Sequence, residues 1–179
     1  MRILTILLTL FFAACSSKNA TYLVPSAPTK AISITSTQIG VKKVEVPDYL
    51  LGDKIMVKDG IKLTPLDANF ASSIDGLLTD NAIKSLKTSL ADPNVFLYPW
   101  DVKSKKGVII KIVIDDYLFY EGAVHLKGSY FVSSAKGALL KSKNFVVEAN
   151  AQKDANSIVM ALGKVFDSLM QEIAQVIPR

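Results

Sequence analysis

Few residues of this 179-residue chain belong to the types that carry out catalysis. Its one cysteine, Cys15, excludes an intramolecular disulfide and any zinc site built from several cysteines. Its one histidine, His125, alternates with Lys127 and Ser129 and is predicted to lie on an exposed polar strand face. A histidine without a fixed carboxylate partner is not expected to act as a general base.

Asp115-Asp116 is the only pair of adjacent carboxylates. Neighbouring residues on a strand point to opposite faces, so the two cannot share a substrate, and we expect them to mark a strand end or a bulge. Gly107 to Lys111 lacks the spacing of a phosphate-binding loop. The sequence therefore predicts no enzyme, no metal site and no cofactor.

The net charge of +5 raises the question of nucleic-acid binding. Once Arg2, Lys18 and Lys30 at the N-terminus are set aside, 18 of the 21 basic residues remain against 16 acidic ones. A domain with a net charge of +2 has no basic footprint for nucleic acid, so no nucleic-acid partner is predicted.

Two groups of lysines are nevertheless clustered along the chain. One is a loop that precedes the strand at 108–114, and the other lies on a later strand. They either form solvated surface or contact anionic lipid headgroups or an acidic partner. The lysines are Lys103, Lys105 and Lys106 in the loop, and Lys141 and Lys143 on the strand.

At the N-terminus, Met1 and Arg2 are followed by ten residues, Ile3 to Phe12, that are apolar apart from two threonines. Ala13-Ala14-Cys15 comes next. Ten helical residues rise only about 15 Å, half of a hydrocarbon core, so a secretory signal is predicted in place of a spanning helix. The sequence resembles the lipobox of bacterial lipoproteins, with Phe12 where that pattern has an aliphatic residue. An ordinary signal peptide with a chance cysteine is the alternative.

The lipobox resemblance implies that residues 1–14 are a signal peptide and that Cys15 becomes the lipidated first residue of the mature chain. Its acyl chains, palmitate among them, would anchor the protein in a membrane. Ser16 follows the cysteine, so the aspartate that retains lipoproteins at the inner membrane is missing. The resemblance thus implies an outer-membrane location facing the periplasm.

Residues 15–38 are predicted to be a tether, because they are rich in Ser, Thr, Ala, Asn and Pro and have no sustained periodicity. Roughly twenty extended residues reach about 65–70 Å. Tyr22-Leu23-Val24 and Ile32-Ser33-Ile34 are candidate short extended pieces, and parts of this segment instead pack on the domain if their apolar residues are buried. The domain itself is predicted to span residues 39–179.

The first half of the domain alternates between strand and helix patterns. A strand at 39–46 is expected to carry a bulge near Lys42-Lys43, and Pro47 ends it. A hairpin at 55–63 is predicted to turn at Asp59-Gly60 with Met56 opposite Leu63 and to stop at Pro65. A helical period extends from about Asp67, a candidate N-cap, to Leu90, with a break allowed at Gly76.

The second half predicts a short strand at 95–98, then three strands at 108–114, 123–132 and 139–149, and a final amphipathic helix at 154–177. Short turns make the three strands antiparallel neighbours, and the strand at 108–114 is expected to be central. The fold class is therefore α/β (α+β): a two-layer sandwich of a mixed, mostly antiparallel sheet with two helices packed on it.

Three segments carry a resemblance to a known family: the run Val44 to Leu50, the Asp-Gly hairpin after it, and Leu97-Tyr98-Pro99-Trp100. Together with the lipobox and the C-terminal helix they resemble the PqiC (YmbA-like) family of ABC-type transport auxiliary lipoproteins over about residues 20–177. The chain departs from the family pattern after Leu50 and at Phe70, where the family often has a tryptophan.

The resemblance implies a non-enzymatic auxiliary component of an ABC/MCE-type system that moves lipids between the two membranes of Gram-negative bacteria. Such a lipoprotein assembles as a homo-oligomeric ring and docks an MCE-domain protein. The residues predicted for packing or subunit contacts are Pro47, Tyr49, Leu50, Pro99 and Trp100. The alternatives are another outer-membrane lipoprotein acting in envelope assembly, and a soluble binding module with a deep apolar pocket.

Overall fold

The computed structural model describes residues 20–26, 31, 37–91, 94–99 and 107–178. Several predictions concern residues outside these ranges: the signal peptide, Cys15, the piece at 32–34, the tip of the turn at 92–93, Trp100 and the basic loop at 103–106. The elements are β1 (Ala20–Tyr22), β2 (Ile39–Val41), β3 (Lys54–Asp59), β4 (Lys62–Phe70), α1 (Ile74–Ser89), β5 (Val95–Leu97), β6 (Val108–Tyr120), β7 (Ala123–Ser134), β8 (Leu139–Asn150) and α2 (Ala155–Val176).

The long strand β6 is the centre of an eight-stranded mixed sheet. One edge of β6 pairs with β7 in antiparallel register from Val108 to Tyr120. Its other edge pairs with two different parallel strands: β2 at its beginning, and β3 near its end, where Val57 lies opposite Phe119. The sheet therefore forks, with β5 next to β2 on one branch and β4 then β1 beyond β3 on the other. The predicted central position is confirmed.

A bulge interrupts β6 at Asp115, where the register with β7 shifts between Ile114 and Asp116. This confirms the bulge that the carboxylate pair predicted. Gly128 lies opposite Ile114, and a Cβ atom there would overlap the carbonyl oxygen of Val113 and lie 2.9 Å from Cζ of Phe145. The bulge thus brings β6 so close to β7 that position 128 has no room for a side chain.

A second bulge separates β2 from the isolated bridge at Glu45. Four residue steps join Val41 to Glu45, whereas three join their partners Ile110 and Val113. The extra residue confirms the bulge predicted near the lysine pair.

Both helices pack on one face of the sheet and contact each other, α1 over β2 and β5 and α2 over β7 and β8. This confirms the predicted two-layer architecture. The side chains of β6 that face the helices are buried, as are those along one stripe of α2. Each such aliphatic side chain contributes about 1.5–3 kcal/mol to stability through burial.

Asp154 is the N-cap of α2. Its side chain accepts a hydrogen bond of 2.8 Å from the backbone N–H of Ser157.

The helix predicted at 67–90 begins later than expected. Asp67 to Phe70 belong to β4, which continues through Pro65, and α1 starts at Ile74 after Ser73. Pro65 does not stop the strand, because it lies at an edge of the sheet. β1 pairs only with the last three residues of β4, so no neighbouring strand has to accept a hydrogen bond from position 65, where proline has no N–H group. Gly76 lies in the first helical turn and causes no break.

The hairpin register also differs from the prediction. The two-residue loop is Gly60-Ile61, which places Leu63 opposite Lys58 and Met56 opposite Pro65. Gly60 adopts a φ of +58° as the first loop residue, the position where a type II′ turn requires glycine. The predicted register was wrong because the loop lies one residue later than expected. Gly60 was expected to be the second loop residue and is the first, and Asp59 pairs with Lys62.

Residues 20–26 pack on the domain, which is the alternative left open for the apolar Tyr22-Leu23-Val24. β1 pairs with β4, and Val24 is buried. The side-chain amide of Asn81 in α1 donates a 2.9 Å hydrogen bond to the carbonyl of Val24. Pro25 lies against Gly163 of α2, where a Cβ atom would be 2.6 Å from its ring, and Ser26 donates to the carboxylate of Asp167 at 3.3 Å.

We expect Gly128→Ala to destabilise the protein by about 3 kcal/mol, the upper end of the cost of overpacking, because backbone and not a flexible side chain occupies the space. Ser129→Ala on the open side of the same strand is the control and should cost less than about 0.5 kcal/mol. Urea unfolding monitored by circular dichroism measures both. Equal midpoints for the two variants would contradict the close approach at the bulge.

Candidate functional site

The first part of the candidate site is a 3₁₀ turn at Asp48–Leu50 that follows Pro47. The backbone of Leu50 donates to the carbonyl of Pro47 at 2.9 Å, which closes the turn. The turn separates its two apolar side chains: Leu50 is buried in the core, whereas Tyr49 is 40% exposed. Leu50 therefore holds the segment in place and Tyr49 faces the surface.

Tyr49 links this turn to the bulge of β6 through a hydrogen bond. Its hydroxyl donates a 3.2 Å hydrogen bond to the carbonyl oxygen of Asp115, the residue that the bulge leaves unpaired with β7. Partial burial raises the pKa of Tyr49, and the nearby carboxylates of Asp116 and Asp115 raise it further. The hydroxyl therefore remains protonated and acts as a donor.

The second part of the candidate site is the end of β5. The backbone of Tyr98 donates to the carbonyl of Val41 at 2.7 Å, and Lys42 Nζ lies 5.7 Å from the centre of the Tyr98 ring. Pro99 follows through a cis peptide bond and is exposed. Trp100 lies outside the described residues.

Pro99 and Leu51, the residue after the 3₁₀ turn, line the same surface groove of about 490 Å³. Its apolar lining includes Val46 and the exposed Leu51, together with Tyr98 and Pro99. The structure thus places Pro99 and Leu51 on one groove, which the sequence alone did not show, whereas Pro47, Tyr49 and Leu50 do not line it. The groove is an open surface feature with mixed polar and apolar walls, of the kind that suits contact with another macromolecule.

An ion pair between Lys43 and Asp75 lies in this groove. Burial alone would raise the pKa of Asp75, but hydrogen bonds from Lys43, from Ser73 and from the backbone N–H of Gly76 outweigh burial and lower it. Asp75 therefore stays ionised at neutral pH, and its charge is balanced by a partly exposed lysine.

Thr79, one helical turn after Asp75, connects the groove to α1. The backbone N–H of Val44, displaced from the ladder by the bulge, donates to Oγ1 of Thr79 at 2.9 Å. The same hydroxyl donates to the carbonyl of Asp75 at 2.6 Å. The sequence did not reveal the roles of Asp75 and Thr79. The hydrophobic pattern of a helix does not show that the N–H group of Val44, far away in sequence, needs a hydrogen-bond acceptor.

The prediction that His125 is exposed and without a carboxylate partner is wrong. Only 8% of the residue is exposed, and its ring stacks on that of Tyr120 at 3.8 Å between centroids. Its Nδ1 lies 2.9 Å from Oε1 of Glu148, which lies opposite on β8, and its Nε2 lies 3.2 Å from the carbonyl oxygen of Tyr120. Both ring nitrogens are occupied, so neither is available as a base to an external substrate.

The remaining polar candidates also form structural contacts. Tyr120 donates to Oδ2 of Asp116 at 3.2 Å and accepts from Lys127 at 3.0 Å. Lys143 forms an ion pair of 2.9 Å with Glu172 of α2, and Lys141 is exposed on β8. Within the described ranges no cluster of three or more metal-binding side chains occurs, and neither helix is long and apolar enough to cross a membrane.

The forked sheet with two helices and an open surface groove defines an α/β protein whose candidate site is suited to contacts with another macromolecule. More specifically, the chain belongs to the ABC-type transport auxiliary lipoprotein component family, whose model matches residues 22–174. This confirms the resemblance noted in the sequence. The family is one of auxiliary transport components, which is not a class of enzymes.

Solved structures share the fold. One is the crystal structure of an uncharacterised protein with 21% identity and a TM-score of 0.73, covering 89% of this chain and 99% of that one. Another is a Xanthomonas campestris protein of the DUF330 family, with 16% identity and a TM-score of 0.72, covering 86% and 92%. At these identities the likeness shows the fold alone. A comparison with curated proteins finds no match.

Removing the Thr79 hydroxyl should destabilise the protein. We expect Thr79→Val to cost about 1–3 kcal/mol, because it leaves the buried N–H of Val44 without an acceptor. Thr79→Ser keeps the hydroxyl and should lose less than about half of that amount. Urea midpoints measure both variants, and a Val variant as stable as the Ser variant would show that the hydrogen bond is unimportant.

Asp75 should make stability depend on pH in the acid range. Its pKa is lowered in the folded state, so its contribution is present above about pH 4 and is lost as the pH falls through the folded-state value. Between pH 6 and pH 3 the wild type should therefore lose more unfolding free energy than Asp75→Asn. Asp80→Asn, on the exposed side of α1, is the control and should follow the wild type.

Proposed function

We propose that this protein is a non-enzymatic lipoprotein of the outer membrane that serves an ABC/MCE-type intermembrane lipid transport system. One observation carries the proposal: the family match extends over residues 22–174 and begins seven positions after Cys15, the end of a lipobox-like sequence. The domain faces the periplasm and docks or stabilises the MCE-domain protein at the outer membrane.

Cys15 is the proposed attachment point to the bilayer. A thioether-linked diacylglycerol and an N-acyl chain would give three long chains, and each buried CH₂ group contributes about 0.8 kcal/mol. Such an anchor does not dissociate on the timescale of transport. Ser16 in place of aspartate supports the outer membrane as the destination.

The proposed docking surface is the groove lined by Leu51, Tyr98 and Pro99, together with the exposed Tyr49 on the preceding 3₁₀ turn. Leu51 is 55% exposed at its wall, and the ion pair of Lys43 and Asp75 supplies polar contacts. Aromatic and apolar side chains beside paired charges are typical of a protein interface. In a homo-oligomeric ring the same surface, with Trp100 next to it in sequence, forms contacts between copies or with the MCE protein.

The experiment is a pull-down of the tagged full chain from envelopes solubilised in mild detergent, with the bound proteins identified by mass spectrometry. An MCE protein with its permease or ATPase should be recovered with the wild type. Leu51→Glu should reduce that recovery at least about tenfold, since a buried unpaired charge costs several kcal/mol. Leu139→Glu changes a residue of similar exposure, 60%, on β8 and should leave recovery unchanged.

A chain in which residues 1–15 are replaced by a cleavable secretory signal without a cysteine separates the anchor from docking. It should appear in the soluble envelope fraction and still bind the MCE protein in detergent. Recovery of the acylated wild type without any transport component would contradict the proposal and favour an envelope-assembly role.

A further inference from the structure

The β3–β4 hairpin ends in the most exposed large apolar side chain of the described residues. Ile61 is 100% exposed at the tip, and Leu63 beside it is partly exposed. Lys58 and Lys62 flank the tip on the two strands. A long aliphatic side chain at the end of a hairpin, flanked by lysines, resembles the pattern of groups that enter a bilayer interface.

The described chain joins the sheet at β1, which pairs with the last three residues of β4. β1 runs parallel to β4, with Ala20 opposite Ala68, so the beginning of β1 faces the beginning of β4 and therefore the hairpin tip. Nineteen residues precede Ala20. Cys15 is five residue steps from Ala20, a span of at most about 18 Å.

The tip is comparably far from the entry point. Seven residue steps along β4 separate Ala68 from Ile61, or about 23 Å in a strand. An anchor at Cys15 thus keeps Ala20 within about 18 Å of its lipid, so that the tip, about 23 Å from Ala20, is able to reach the bilayer surface.

The neighbouring turns at this end are polar. The Glu121-Gly122 turn lies beside the end of β3, because β3 and β6 are parallel with Val57 opposite Phe119. Lys153, in the connection between β8 and α2, lies 4.0 Å from the carboxylate of Asp59. Ile61 therefore projects from a rim of charged and polar groups that can remain among lipid headgroups.

We propose that the hairpin tip is a membrane contact, in which Ile61 inserts into the interface of the bilayer that holds the lipid on Cys15. The inference rests on the lipid anchor of the proposed function. A bilayer fits this surface better than a protein does, because a specific protein interface buries about 800 Å² on each partner and a single protruding isoleucine offers far less. A bilayer needs no matching shape.

The test uses the full lipidated chain in liposomes of phosphatidylethanolamine and phosphatidylglycerol, with Trp100→Phe as the background. Ile61→Trp places a fluorescent probe at the tip, and Leu139→Trp places one on an exposed site at the far end of β8. Flotation on a density gradient first measures anchoring. Brominated lipids then measure the depth of each probe.

The expected result is that both proteins float, and that only the tip probe shows blue-shifted emission and quenching by brominated lipid. A chain that floats while its tip probe remains in water would overturn the inference and leave the anchor intact. A blue-shifted probe that brominated lipid does not quench would mean a contact with another copy, which also overturns the inference. A chain that fails to float would refute the anchor itself.

Discussion

The close approach of β6 and β7 at Gly128 is the constraint on which the rest of the fold depends. Because no side chain occupies that position, β6 can accommodate an extra residue at Asp115 and continue to Tyr120 beside the same partner. The bulge bends the strand and increases its twist. Two different strands, β2 and β3, can then follow one after the other along its second edge. The fork of the sheet is a consequence of this local geometry.

The surface proposed for docking is assembled from the irregularities that the fork creates. Asp115, unpaired with β7, offers its carbonyl to Tyr49, and Val44, displaced by the second bulge, donates to Thr79. Each of the two residues thus receives a partner from another element, which the buried N–H of Val44 requires and the exposed carbonyl of Asp115 does not. These hydrogen bonds connect the 3₁₀ turn to β6 and the groove to α1.

Much of the fold could be predicted because its signals are local. The alternation in β6 and β7, the stripe of α2 and the carboxylate pair at the bulge all depend on residues close together in sequence. The start of α1 and the hairpin register could not be predicted, because they depend on where β1 ends along β4 and on which of two adjacent turns forms. The burial of His125 and the roles of Asp75 and Thr79 depend on residues of other elements.

The docking of residues 20–26 also affects the order in which parts of the molecule can fold. Val24 to Ser26 require Asn81 of α1 and Gly163 and Asp167 of α2, and Ser26 and Asp167 are separated by 141 positions in the chain. The first described segment to emerge during synthesis therefore reaches its native contacts only after the last helix has been made and has folded. While β1 is not yet in place, the outer edge of β4 is unpaired, and its protection from wrong partners depends on Pro65 and the charged residues along that strand.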